Sequence, residues 1–220
     1  MIFEGVYRRF QGLRVAKGPL DTRFTFTESL AVEQVGPPNL EMTRAGRRFF
    51  LGNSAAVTGI APVQAIPTTA AQWVIWNASL NATYFFEEIG AFLASGTPGL
   101  GGSLWVCLFT APSQTGASAA GMTVQSASQG TRASSAIIKS AVTITGPAAP
   151  VWYPIDQSSD AVAAAAFSTG YANGFSKRDF AGAMAIQPGQ GLGLAVIAPA
   201  GTTPLYAPFG RWIEQETDME

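Results

Sequence analysis

Two adjacent acids, Glu87 and Glu88, are the only charged residues between Phe49 and Thr131. Paired carboxylates are what a glycosidase uses, with the two groups about 5 to 9.5 Å apart across a sugar. Neighbours on a strand point to opposite faces, so these two cannot form such a pair alone. They read as a solvated edge or as an intersubunit salt bridge. A glycan-cleaving site would need acids from distant segments to meet, Glu88 and Asp156 for example. Asp156 and Asp160 could offer oxygens to calcium, but the run Asp156-Gln157-Ser158-Ser159-Asp160 fits no EF-hand loop and lacks its closing bidentate Glu. An Asp-capped turn is the expectation there. The glycine clusters Gly96-Thr97-Pro98-Gly99-Leu100-Gly101-Gly102 and Gly189-x-Gly191-x-Gly193 lack the Lys-Ser/Thr ending of a P-loop and the Rossmann spacing respectively, which leaves hairpin turns or close strand contacts.

What is missing narrows the chemistry further. The chain has no His, the side chain that most often serves as general base or metal ligand near neutral pH. Hydrolases with a His base and His-ligated zinc or haem are thereby excluded. A single Cys, Cys107, allows neither an internal disulfide nor a Cys-rich zinc site. Flanked by Val106 and Leu108, it reads as a buried, inert thiol. Neither an enzyme nor a cofactor or metal site is expected. Asn77-Ala78-Ser79 and Asn81-Ala82-Thr83 match the glycosylation pattern, but Met1-Ile2-Phe3-Glu4 followed by Arg8 and Arg9 does not read as a secretory signal, so folding in a reducing cytoplasm is the expectation.

Charge is scarce and segregated. Of the 220 residues 47% are hydrophobic and 12% charged, where a soluble domain carries about 25% charged residues. A net charge of −1 gives no reason to propose nucleic acid or a membrane surface as partner. The N-terminal part is mildly basic, with Arg8, Arg9, Arg14, Lys17, Arg44, Arg47 and Arg48 as docking candidates, and the segment from Arg211 to Glu220 is acidic. The nearly uncharged middle could not keep a free monomer well solvated by charge, which predicts contact with a partner.

The elements that would position these groups are strands. Thr22 to Glu28 alternates with Phe24 and Phe26 on one face. Trp73–Trp76, Thr83–Phe86, Ile89–Leu93 and Leu104–Phe109 are aromatic and branched runs bounded by turn formers. Further strands are expected at Ile137–Thr145, Val151–Ile155, Phe180–Ile186, Leu192–Ile197 and Tyr206–Glu214. The turn Gln187-Pro188-Gly189-Gln190-Gly191 should pair its flanks as a hairpin. Asp160–Phe167 allows one or two helical turns, and Ala111–Ser135, with almost no large side chain, is expected to be irregular. Short strands at this spacing predict an all-β sandwich over residues 39–220, preceded by an extended N-terminal arm or edge strands over 1–38, with the boundary at Gly36-Pro37-Pro38.

The run from Gly59 to Trp73 (GIAPVQAIPTTAAQW) with Trp76-Asn77, then Gly102-Ser103-Leu104, and the ending Pro204-Leu205-Tyr206 to Glu214 resemble structural proteins of tailed bacteriophages: head-decoration, head-fibre and tail proteins. The resemblance implies a jelly-roll-like sandwich and a homo-oligomer, a trimer favoured, in the virion. It implies a capsid cement or decoration protein contacting other virion proteins such as the major capsid protein. The alternative is a carbohydrate- or host-binding module of a tail fibre or spike. The five Trp read as core and interface aromatics, Trp73, Trp76 and Trp212 being the interface candidates and Trp73 or Trp76 the candidate sugar platform.

Overall fold

The computed structural model describes residues 23–24, 30–31, 42–53, 59–96, 102–110, 117–118, 121–128, 132–146, 148–158, 175–198 and 204–216. The chain divides into two compact units, Met1–Glu41 and Met42–Glu220. In the first, β1 (Arg23–Phe24) and β2 (Leu30–Ala31) pair antiparallel, Phe24 opposite Leu30. The rest of the Thr22–Glu28 run, the Gly36-Pro37-Pro38 boundary and the Asp160–Phe167 run lie outside the described residues.

The second unit is a β-sandwich. Its strands are β3 (Arg48–Asn53), β4 (Ala70–Asn77), β5 (Ala82–Ser95), β6 (Gly102–Thr110), β7 (Ala117–Ser118), β8 (Met122–Ser126), β9 (Ala136–Thr143), β10 (Val151–Ser158), β11 (Phe175–Ile186), β12 (Gln190–Ile197) and β13 (Leu205–Glu216). One sheet has the order β10-β6-β12-β4-β9-β7 and the other β11-β5-β13-β3-β8. Strands β7, β8 and β9 all belong to the single connection between β6 and β10. Without them, eight strands remain, ordered β3-β13-β5-β11 in one sheet and β4-β12-β6-β10 in the other. The first strand thus lies beside the last and the second beside the last but one, which is the double Greek key of a jelly roll. Strands β8 and β9 widen the two sheets, β8 beside β3 and β9 beside β4.

The main core lies between the sheets. Trp73 and Ile75 of β4, Leu104 and Val106 of β6, and Leu192, Leu194 and Val196 of β12 meet Phe49, Tyr84, Phe86, Ile89 and Trp212 of the other sheet. Alternation along these strands accounts for the burial of every second side chain. The intervening residues of the six-stranded sheet form a second buried cluster, with Val74, Trp76, Cys107, Phe109, Val142, Ile144, Trp152 and Ala195. Strand β12 supplies small residues to that face. A Cβ built on Gly191 would fall 2.4 Å from the Phe109 ring, and one on Gly193 2.7 Å from Cys107 Sγ. These two glycines are the close strand contacts expected from the sequence, and Gly189, at φ 75°, is the turn.

Three sequence expectations are corrected. Thr83–Phe86 and Ile89–Leu93 are not two strands but parts of the continuous β5. The Gln187–Gly191 segment reverses the chain, with Gln190 N donating to Gln187 O at 3.0 Å, yet its flanks do not pair: β11 joins β5 in one sheet and β12 joins β4 and β6 in the other. A reversal between two runs that bury against the same core can cross between sheets as readily as it can close a hairpin. Within Ala111–Ser135, expected to be irregular, Met122–Ser126 forms the edge strand β8 on β3, because edge pairing rests on backbone hydrogen bonds and needs few large side chains.

Gly193→Ala is expected to lower stability by about 1–3 kcal/mol through overpacking against Cys107 and Ile144. Gly52→Ala, whose Cβ would meet only the Phe50 ring at 3.5 Å, should leave the midpoint of urea unfolding unchanged or raise it. Equal losses in both variants would contradict the packing described.

Candidate functional site

Glu87 and Glu88 do not separate to opposite faces of an ordinary strand. Opposite β5, Arg211 of β13 pairs with Glu88 but Trp212 pairs with Phe86, so Glu87 is the extra residue of a β-bulge. Bulges re-aim side chains in this way, and here both carboxylates reach the same arginine. Arg211 Nε lies 3.0 Å from Glu87 Oε2 and its Nη2 3.0 Å from Glu88 Oε2, while Arg48 Nε of β3 donates to Glu87 Oε2 at 2.8 Å. The expected solvated edge or intersubunit bridge is replaced by an ion network within the chain. Glu88 is held by Arg211, and Asp156 stands in the other sheet with its Oδ1 accepting from Gln157 N at 2.9 Å. The two acids suggested for a glycan-cleaving site thus belong to different sheets, each with a partner of its own.

A second polar cluster closes one end of the core. Trp212 packs against Phe49, Tyr84 and Phe86, with ring centroids 6.5, 6.3 and 6.1 Å away. Its Nε1 donates to Glu214 Oε1 at 3.3 Å, and Ser134 Oγ donates to the same oxygen. Tyr84 Oη and Ser135 Oγ are 2.6 Å apart. Beyond them Arg132 Nη2 donates to Glu216 Oε1 at 2.8 Å and Arg47 Nη2 to Oε2 at 3.4 Å. Burial pushes the Glu214 carboxyl above its ordinary value, opposed by hydrogen bonds from Ser134 and Trp212. The hydrogen bond from Arg132 and the charge of Arg47 hold Glu216 below its own. The cluster fastens the residues ahead of β9, carried by the connection from β8, to the end of β13. Neither Ser134 nor Arg132 carries a sequence signal for this role.

The candidate interface residues divide into four groups. Arg8, Arg9, Arg14 and Lys17 lie outside the described residues. Arg44 is exposed in a short helical stretch, 42–44, closed by Gly46 at φ 66°. There Gly46 N donates to Thr43 O and Arg47 N to Met42 O, the paired bonds of a Schellman cap. Arg47 and Arg48 are engaged inside the chain by Glu216 and Glu87. Trp73, Trp76 and Trp212 are all buried in the sandwich, so the aromatic residues expected at an interface or under a sugar are core residues. They are large enough to fill the space between short strands, and that use takes precedence. Cys107 is buried, and burial pushes its thiol up to about 12, as expected of an inert cysteine.

Among the described residues a mainly apolar groove of about 420 Å³ is lined by Leu108, Phe109, Thr110, Ala148, Ala149, Pro150, Val151, Tyr153 and Gln190. Strands β6 and β10 form it through the Leu108–Val151 pair, and Gln190 at the start of β12 bounds it. Gln190 Oε1 already accepts from Gln187 N at 2.9 Å. Among the described residues no cluster of three or more metal-ligating side chains occurs. Comparison with protein-family models, curated proteins and solved structures finds no match to the chain.

Two outcomes follow from the polar clusters. The raised Glu214 contributes stability that is full below the ordinary carboxylate value of 4.5 and is lost as pH rises through its folded-state value. The lowered Glu216 contributes stability present above 4.5 and lost as pH falls. In urea unfolding across pH 3–7, the wild type should therefore lose ground against Glu214→Gln as pH rises and against Glu216→Gln as pH falls. Parallel curves would contradict the assignments. Arg211→Ala removes the cation that Glu87 and Glu88 share, leaving Arg48 on Glu87, and should cost about 1–3 kcal/mol, between an exposed and a buried pair; a loss below about 0.5 kcal/mol would show the network to be incidental.

Proposed function

We propose that this chain is a non-enzymatic virion structural protein, a capsid cement or decoration protein that assembles as a homo-oligomer, a trimer, on the major capsid protein. The observation that carries the reading is the fate of its charges. The only acids between Phe49 and Thr131 are neutralised inside the chain by Arg48 and Arg211, so this long stretch offers a partner an uncharged surface. Such a surface suits permanent contact with neighbours and is a liability on a free monomer. The jelly roll recurs in viral capsid and lectin domains, a fold-level analogy that supports the reading without assigning it. The resemblance to phage structural proteins points the same way.

The second reading, a carbohydrate- or host-binding module of a tail fibre, loses its expected platform because Trp73 and Trp76 are buried. Among the described residues, Tyr153 at the groove is the exposed aromatic that remains to serve it.

Attachment is assigned to the basic N-terminal residues Arg8, Arg9, Arg14 and Lys17, facing acidic groups on the shell. Protein lacking residues 1–18 should fold and oligomerise yet fail to co-sediment with particles, and raised salt should release the intact protein, since exposed ion pairs are screened. Binding that survives both truncation and salt would move attachment to the sandwich. Failure of the intact protein to bind particles at low salt would overturn the cement role.

A further inference from the structure

Among the described residues six large apolar side chains are exposed: Ile66, Leu80, Leu108, Ile137, Val151 and Tyr153. Strand register gathers five of them at one end of the sandwich. Strand β4 reaches that end at Asn77, opposite Ala136 of β9 with Ile137 next to it. Gly191 pairs with Trp76 there, Thr110 with Gln190, and Leu108 with Val151. Leu80 projects from the turn joining β4 to β5, and Tyr153 lies two residues along β10 from Val151. Ile66 alone stands apart, on the connection leading to the other end of β4.

Two features of this end differ in shape. Leu80 is 89% exposed, at the tip of a turn held by its own hydrogen bonds. Ser79 N donates to Asn77 Oδ1 at 3.0 Å, Ala82 N to Ser79 Oγ at 2.8 Å, and Asn77 Nδ2 to Ala82 O and Ile186 O at 2.7 and 3.1 Å. The tip is thus preorganised, and an apolar side chain on it loses little freedom on docking. The second feature is the groove of about 420 Å³ beside Leu108, Pro150, Val151 and Tyr153. One is a knob and the other a hole. No charged residue occurs in 78–81, 108–110, 148–155 or 187–190; Glu216, which stands opposite Ala82 at this end, is already paired with Arg47 and Arg132, so the partner that fits the knob and the groove is apolar at its point of contact. The chain itself supplies one.

We propose that Leu80 of one copy seats in the groove between β6 and β10 of the next copy. Knob and hole are different patches of one surface; in the trimer proposed above the contact is head-to-tail and closes into a ring. This inference rests on the assembly reading above and names the surface through which assembly occurs. Charge plays no part in the contact, so it is expected to persist at salt concentrations that release the protein from particles.

The test uses the full chain and two surface variants. Leu80→Asp removes the knob, and Ala149→Trp fills the hole; Val151→Glu is a second hole variant should the tryptophan disturb the fold, and circular dichroism checks each. Sedimentation velocity should show the wild type assembled and each variant as single chains. A one-to-one mixture of a knob variant with a hole variant should restore one intact interface per pair and produce dimers and nothing larger. Variants that assemble like the wild type would overturn the proposed contact and leave the assembly reading standing. Single chains that do not dimerise on mixing would overturn the pairing of the Leu80 knob with the β6–β10 groove. A wild-type protein that stays monomeric would overturn the contact and the homo-oligomer together.

Discussion

The packing of Trp212 is the interaction on which the rest of the sandwich depends. Its indole is enclosed by Phe49 of β3 and by Tyr84 and Phe86 of β5, so three neighbouring strands share one aromatic centre. Burying an indole also buries an N–H that needs an acceptor. The acceptor is Glu214, two residues on along β13 and on the same face. A carboxylate in that position needs further donors, and Ser134 supplies one from the approach to β9, while Tyr84 holds Ser135 beside it. The long connection between β6 and β10 is thus anchored by a demand that begins with one tryptophan.

The second constraint is electrostatic. A chain with few charges cannot leave them unpaired in half-buried positions without loss, and the bulge at Glu87 resolves this within β5. By inserting one residue opposite the Arg211–Trp212 step, it turns two consecutive carboxylates toward a single guanidinium. Arg48 completes the balance from β3. The bulge also keeps Phe86 and Ile89 both facing the core, which a regular strand could not do with two residues between them. Packing and charge pairing therefore call for the same irregularity.

Much of this was legible in the sequence, and the limits have physical causes. Runs rich in Trp, Phe, Ile and Val marked β4, β6, β9, β10, β12 and β13, because large branched and aromatic residues suit a pleated, buried surface. The all-β sandwich followed from their number and spacing. Strand β3, with Arg48 and Gly52, and strand β8, MTVQS, were not marked; their pairing is a backbone matter and leaves no strong side-chain pattern. Which strands share a sheet was also hidden, as the Gln187–Gly191 reversal shows, since a turn fixes direction and not the neighbour. The sequence leaves core and interface open for the tryptophans because aromatics are common in both, and only the packing, which buries Trp73, Trp76 and Trp212, separates the two. The ion network escaped because its spacing depends on a bulge, and the Leu80 tip because a lone leucine in a polar turn has no signature until its exposure is known.

These features describe a jelly roll with a closed core and, at one end, an exposed apolar turn and an apolar groove. The proposed cement protein would finish that end with another copy of itself, while keeping its N-terminal basic residues for the shell. The most direct measurement is an electron cryomicroscopy map of the particle at a resolution sufficient to place the sandwich. The account predicts clusters of three sandwiches on the shell, with the Leu80 turn of each directed at the β6–β10 groove of its neighbour. Isolated single sandwiches on the shell, or a particle without this chain, would contradict it.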